Sequence, residues 1–242
     1  MDPAVLVLAA LAAICFVAGV AKGLTGFGAA LIMAPLLSML IPPTQAAALI
    51  VLLHAMTGWQ GARTWWPHVQ WPRVIGIAVV ALMCHQLTLP VLAQVDDVLV
   101  RRATGTLVLL LSLSSLCGAQ LRNSGGYPAT LAAAVASGIF TAFGGLGGPP
   151  VAYYFAGQAS AATHMRANLL GYFMVLFSGA AIGLAVRGAV GIESLRHSAL
   201  LAPFFVLGMM AGSRLYGRLS PRCYHYVVQL GLVGIGLFAM VR

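Results

Sequence analysis

The sequence predicts an all-α integral membrane protein with about eight to ten membrane segments in two homologous repeats, its helices broken by glycine and proline at the repeat interface. Three observations lead there. Of 242 residues, 61% are apolar and 7% charged, where a soluble domain carries about 25% charged residues. The apolar runs, such as 74–92 and 172–186, are continuous and lack the in-out alternation of a barrel strand, so they read as helices, the form that satisfies backbone polar groups within lipid. A glycine cluster near the start of the chain also recurs at its middle.

The apolar segments fall at 4–21, 23–41, 44–62, 73–94, 102–121, 128–143, 146–157, 166–186, 198–217 and 224–241, leaving no room for a soluble domain. They form one transmembrane unit over 1–242. The first has no basic n-region and no small-residue cleavage site after it, so it reads as a membrane helix rather than a signal peptide. The interval from Arg63 to Arg73 holds Trp65, Trp66 and Trp71, with Trp59 beside it, and reads as an interfacial aromatic belt. Thirteen basic residues set a formal charge of +9, but they lie scattered between apolar segments and form no stripe, which argues against nucleic acid. Cys15, Cys84, Cys117 and Cys223 are far apart with no C-x-x-C, which argues against a metal site or a thiol relay; no cofactor is implied.

The repeat aligns Gly19-Val-Ala-Lys-Gly-Leu-Thr-Gly-Phe-Gly28 with Gly138-Ile-Phe-Thr-Ala-Phe-Gly-Gly-Leu-Gly147, and prolines follow each cluster, Pro35 in one half and Pro149-Pro150 in the other. Repeat one covers approximately 1–121 and repeat two 128–242. Paired interruptions of this kind point to a transporter site, because broken helices turn their termini toward a central ligand. The bland alternative is close helix packing, which suits Gly144-x-x-x-Gly148 equally and is the favoured reading of Gly179-x-x-x-Gly183 and Gly208-x-x-x-Gly212. Such motifs also permit a homo-oligomer. Five crossings per half would invert the repeats and four would leave them parallel; counting Lys and Arg by side does not choose between them.

Lys22 is the one lysine in the chain and sits within the first glycine cluster. A cation at membrane depth costs about 3 kcal/mol on insertion scales and usually faces a cavity or a partner. With a break between Gly23 and Gly28, the N–H groups of the next half-helix would add positive potential beside Lys22, and the pair would attract an anion. The alternative is that Lys22 snorkels to the headgroups. Asp2, Asp96, Asp97 and Glu193, the four carboxylates, all lie outside membrane segments, which disfavours a cation carrier. The backbone at Gly26, Gly28, Gly144, Gly145 and Gly147, with Thr25 and Asn168, completes the expected substrate contacts, while Thr141 and Arg166 are weaker candidates. Coupling to a proton would fall to His54 or His85, the histidines within apolar segments; sodium is the other coupling ion to consider.

Lys22-Gly-Leu-Thr-Gly-Phe-Gly-Ala-Ala-Leu-Ile-Met-Ala-Pro35, Gly144-Gly-Leu-Gly-Gly-Pro-Pro150 and Arg166-Ala-Asn168 resemble the sulfite exporter TauE/SafE family over essentially the whole chain. Lys22, Thr25 and Phe27 stand where some members carry further glycines. The resemblance implies a multi-pass transporter in the bacterial cytoplasmic (inner) membrane. It would move small anions, such as sulfite or organosulfonates, by alternating access at a site between the repeats. No G-x-x-x-x-G-K-[ST] loop is present, so transport would be secondary. The competing classes are a membrane anchor subunit, which has no need of broken helices, and an intramembrane enzyme, for which neither H-E-x-x-H nor an acidic ligand at depth is present. The chain is therefore expected not to be an enzyme.

Overall fold

The computed structural model describes residues 3–116, 126–158 and 162–215, and these residues are helical with short connections. In order they form α1 (Pro3–Thr25), α2 (Ala29–Leu37), α3 (Pro43–Thr57), α4 (Ala62–Trp65) with a 3-10 turn over Trp66–His68, α5 (Trp71–Leu92), α6 (Asp97–Leu116), α7 (Tyr127–Ala142), α8 (Gly148–Ala156), α9 (Ala162–Val186) and α10 (Ile192–Leu215). Nine of the ten expected segments correspond to helices; the tenth, 224–241, lies outside the described residues. Among the described residues four stretches, Val5–Thr25, Trp71–Leu92, Thr163–Val186 and Ile192–Leu215, are long and apolar enough to cross a membrane. The second expected segment, 23–41, is shortened to α2, and the seventh, 146–157, corresponds closely to α8. Both α2 and α8 have nine residues, a rise of about 14 Å, half of what a crossing requires.

Proline and glycine account for the helix boundaries. Pro43 opens α3, Pro72 sits in the first turn of α5, and Pro149-Pro150 open α8, where a missing N–H costs nothing. Gly26 (φ 83°) and Gly28 (φ 93°) close α1 and open α2, and Gly144 (φ 109°) and Gly145 (φ 79°) separate α7 from α8. These left-handed conformations place both breaks where glycine is required. The first break therefore spans residues 26–28. Gly23 and Lys22, expected within or beside it, are helical.

The reason lies on α10. A Cβ on Gly23 would overlap the Met209 carbonyl, one on Gly19 the Phe205 carbonyl, and those on Gly208 and Gly212 the carbonyls of Phe16 and Val20. Four glycines thus let α1 and α10 touch backbone to backbone, and the register rises along both, so the two run parallel. This is close packing of the small-residue kind. Gly179 and Gly183 meet Leu82 and Gln86 of α5 in the same parallel sense, and Gly138 of α7 meets the Ala81 carbonyl of α5. The Gly-x-x-x-Gly spacings at 179–183 and 208–212 are thus spent on contacts inside the chain.

Helix directions follow from these contacts. α3 is parallel to α10, pairing the Pro43 region with Ser194 and His54 with Phe205, and antiparallel to α9, pairing Gly58 with Met174 and His54 with Phe177. Consequently α1 and α7 point in opposite directions. Helix α1 packs on α10 and α7 on α5, α3 meets α9, α5 meets α9, and α10 meets α3. One apolar cluster runs through α3, α5, α7, α8 and α9, and a second through α1, α2, α3 and α10. At the end where α5 begins, the Trp66 ring lies 4.3 Å from Trp71 and 6.4 Å from Trp59, with Trp59 and Trp66 exposed, as an interfacial belt requires.

Candidate functional site

The two helix breaks meet. A small cavity is lined by Phe27, Gly28, Ala30 and Leu31 from the first break and the start of α2, and by Gly145, Leu146, Gly148 and Pro149 from the second. Lys22 of α1, His54 of α3 and Phe173 with Phe177 of α9 complete it. Its volume is about 10 Å³, room for about one water, so a larger solute enters only if a wall moves. Both half-helices present their N-terminal ends here, each the positive end of its dipole. The two starts differ in chemistry. Ala29 and Ala30 of α2 carry N–H groups, whereas Pro149 and Pro150 of α8 carry none.

Lys22 is 3% exposed, so the snorkelling alternative does not hold in this fold. Its Nζ makes no hydrogen bond among the described residues and lies 5.4 Å from the centre of the Phe205 ring. A cation over a ring face at that distance recovers part of its desolvation cost. Among the described residues no carboxylate lines the cavity. His54 shares the same aromatic wall, with ring centres 4.4 Å from Phe177 and 5.3 Å from Phe205. Its Nδ1 lies 2.8 Å from the Ile50 carbonyl. A carbonyl only accepts, so Nδ1 carries the proton and Nε2 of the neutral ring is an acceptor.

The end of α1 is capped in three ways. The Gly26 N–H donates to the Lys22 carbonyl at 2.7 Å, the Thr25 hydroxyl to the Ala21 carbonyl at 2.9 Å, and Arg166 Nη2 to the Gly23 carbonyl at 3.0 Å. Thr25 also accepts from the Phe27 N–H at 3.2 Å. These bonds satisfy carbonyls that a helix end leaves without partners. Thr25, Gly26 and Arg166 therefore shape the first break, and none of the three lines the cavity.

The other expected residues divide similarly. Gly28 and Gly145 line the cavity, while Gly144 lies one residue behind it against Ala34. Gly147 is a packing position, since a Cβ there would overlap Thr141 Oγ1 and crowd the Ser137 carbonyl. The Ser137 hydroxyl donates to the Gly147 carbonyl at 2.5 Å and so receives the Tyr172 hydroxyl at 2.6 Å, a buried chain holding the second break. Thr141 donates back to the Ser137 carbonyl at 2.7 Å. His85 is buried on a different cavity, apart from His54.

Asn168 is buried, and its Oδ1 accepts the Gln70 N–H at 2.7 Å, so it ties the start of α5 to α9 and stands off the cavity. Removing it leaves that N–H without a protein partner. Asn168→Ala is expected to lower stability by about 1–2 kcal/mol, seen as a drop in Tm in detergent, with ligand affinity unchanged. Phe173, Phe177 and Phe205 were not singled out from sequence. The i, i+4 spacing of Phe173 and Phe177 signals one helix face, but nothing in the sequence aims that face at Lys22.

Apolar helices of membrane-crossing length, packed around this cavity, make the chain a multi-pass membrane protein. Residues 11–239 match the sulfite exporter TauE/SafE family, and the chain belongs to it. That family is one of membrane transporters. Neither a curated protein nor a solved structure matches the chain.

Proposed function

We propose that this chain is a secondary transporter of small anions, such as sulfite, organosulfonates and related organic anions, working by alternating access in the bacterial cytoplasmic membrane. The observation that carries this reading is Lys22, buried, without a hydrogen bond among the described residues, and placed where both helix breaks converge with no carboxylate beside it. An unpaired buried charge costs several kcal/mol, and a bound anion offsets that cost. The anion would meet Lys22 Nζ, the N–H groups at the start of α2 and the backbone at Gly28 and Gly145. The site would be complementary to negative charge from both halves.

The two halves serve as inverted repeats in this reading. Exchanging α1 with α7, α2 with α8, α3 with α9 and α5 with α10 maps the α1–α10 packing onto α7–α5 and α3–α10 onto α9–α5. The opposed directions of α1 and α7 agree with five segments per half. Rocking of one half against the other would then expose the central site to either side in turn. Proton coupling in this reading falls to His54 rather than His85, a choice supported by the cavity that His54 shares with Lys22. A coupling ion of either kind must favour one state over the other to drive net flux.

Uptake of radiolabelled sulfite into proteoliposomes, with sulfate, thiosulfate, sulfoacetate and simple carboxylates as competitors, tests this. Saturable uptake competed by a subset of these anions is expected. Absence of uptake for every anion would return the chain to the anchor reading.

A further inference from the structure

A second cavity, of about 310 Å³, lies at the end of the bundle where α3 begins and α5 and α9 finish. Thr44 and Gln45 from the first turn of α3 line it, with His85 of α5, Thr141 and Gly144 at the second break, and Arg187 just beyond α9. Among the described residues no carboxylate lines this cavity, and Arg187 is the one Lys or Arg that does. The guanidinium is held in place, since Nη2 donates to the Gln86 carbonyl at 3.0 Å and Nε to Gln86 Oε1 at 3.3 Å. Helix α3 has no side-chain cap, which leaves the Thr44 and Gln45 N–H groups on the same wall without intrahelical partners.

The inner wall is thin. Ala34, Ile50 and Gly144 face this cavity, and directly behind them Ala30, Leu31 and Gly145 face the Lys22 cavity. A Cβ on Gly145 would stand 2.9 Å from Ile50 Cγ2, and one on Gly144 3.0 Å from the Ala34 methyl. The Ile50 side chain stands in this wall, at a point where the facing backbone is glycine and the opposing residues on α2 are alanine.

We propose that the larger cavity is an anion vestibule to the central site, with Arg187 gathering small oxyanions there and Ile50 forming the inner gate. The inference rests on the transport reading. Arg187 is exposed, so its field acts through water, raises the local anion concentration and is screened by salt. Its contribution falls on capture and not on the steps after binding. Opening the gate needs only a rotamer change at Ile50 and a small shift of α2 past the glycine pair.

Sulfite uptake into proteoliposomes tests the Arg187 role. Arg187→Gln is expected to raise KM about tenfold with kcat unchanged, an effect that disappears at high salt, and Arg187→Lys is expected to restore the wild-type KM. Cysteine labelling tests the vestibule. In a chain whose four native cysteines are replaced by alanine, Gln45→Cys is expected to react with an anionic, membrane-impermeant methanethiosulfonate from one side, more slowly with sulfoacetate present, an anion that does not itself consume the reagent. An unchanged KM in Arg187→Gln, or a cysteine at position 45 unreactive from both sides, overturns the proposal while wild-type uptake persists. Wild-type protein with no uptake overturns the transport reading itself.

Discussion

Lys22→Met is expected to reduce anion uptake by about a hundredfold in kcat/KM, a loss of about 2.7 kcal/mol, which is the scale of a charge-assisted hydrogen bond in a dry site. Methionine keeps the length and apolar stem of lysine and removes the amine. The surrounding fold gives no reason for collapse, because Nζ makes no hydrogen bond among the described residues and contacts only the Phe205 face as a cation. Replacing a buried unpaired charge by an apolar group of similar volume is neutral or stabilising. The expected result is therefore a dissociation of two measurements: uptake falls while Tm in detergent holds or rises. A purely structural lysine would lower both together. Full uptake in a well-folded Lys22→Met protein would remove Lys22 from the site and leave only the helix ends to attract the anion.

The second large effect is expected at Gly23. A Cβ there would overlap the Met209 carbonyl, lie 2.8 Å from Ser213 N and 3.0 Å from Gly212 Cα. Every neighbour is α10 backbone, which has no rotamer to escape into, so the helices must part. Gly19, Gly208 and Gly212 hold the same seam, and separation loses contact along all of it. Overpacking of this kind costs about 1–3 kcal/mol. Gly23→Ala is expected to lower Tm and to abolish uptake, since α1 carries Lys22 and ends at the first break. Gly76→Ala supplies the contrast. Nothing lies within 4 Å of a Cβ at that position, which is inside α5. Alanine there is expected to raise stability by up to about 1 kcal/mol through helix propensity alone. Equal Tm values for the two variants would mean that α1 and α10 do not pack through glycine.

The breaks were legible in sequence because glycine at positive φ leaves a chemical trace. Gly26, Gly28, Gly144 and Gly145 occupy left-handed backbone that other residues rarely adopt. Their neighbours in the same clusters, Gly19, Gly23, Gly138 and Gly147, are glycine for another reason, the approach of a second backbone or of buried hydroxyls. Both reasons give the same letter, so the two glycine clusters were visible while their division into hinge and contact positions was not. Asn168 and Thr25, expected as substrate contacts, make backbone hydrogen bonds off the small cavity for a related reason. A polar side chain in an apolar segment serves equally as a ligand contact or as a cap, and the difference lies in which N–H or C=O faces it.

Composition and hydropathy by themselves determined that the chain is helical and lies in a membrane, because lipid offers backbone groups no water and each helix meets that demand locally. The lone lysine beside a glycine cluster, and the absence of carboxylates from apolar segments, are likewise local features, and they are the sequence grounds for the anion site proposed above. Only the tertiary structure decided that the two breaks share one cavity, and that Lys22 and His54 meet across Phe205 while His85 does not join them. Those facts depend on contacts between residues more than a hundred positions apart, set by how helix faces fit together. A hydrophobic period records which face is apolar, and in a membrane every face is apolar, so the partner of each helix is left to packing.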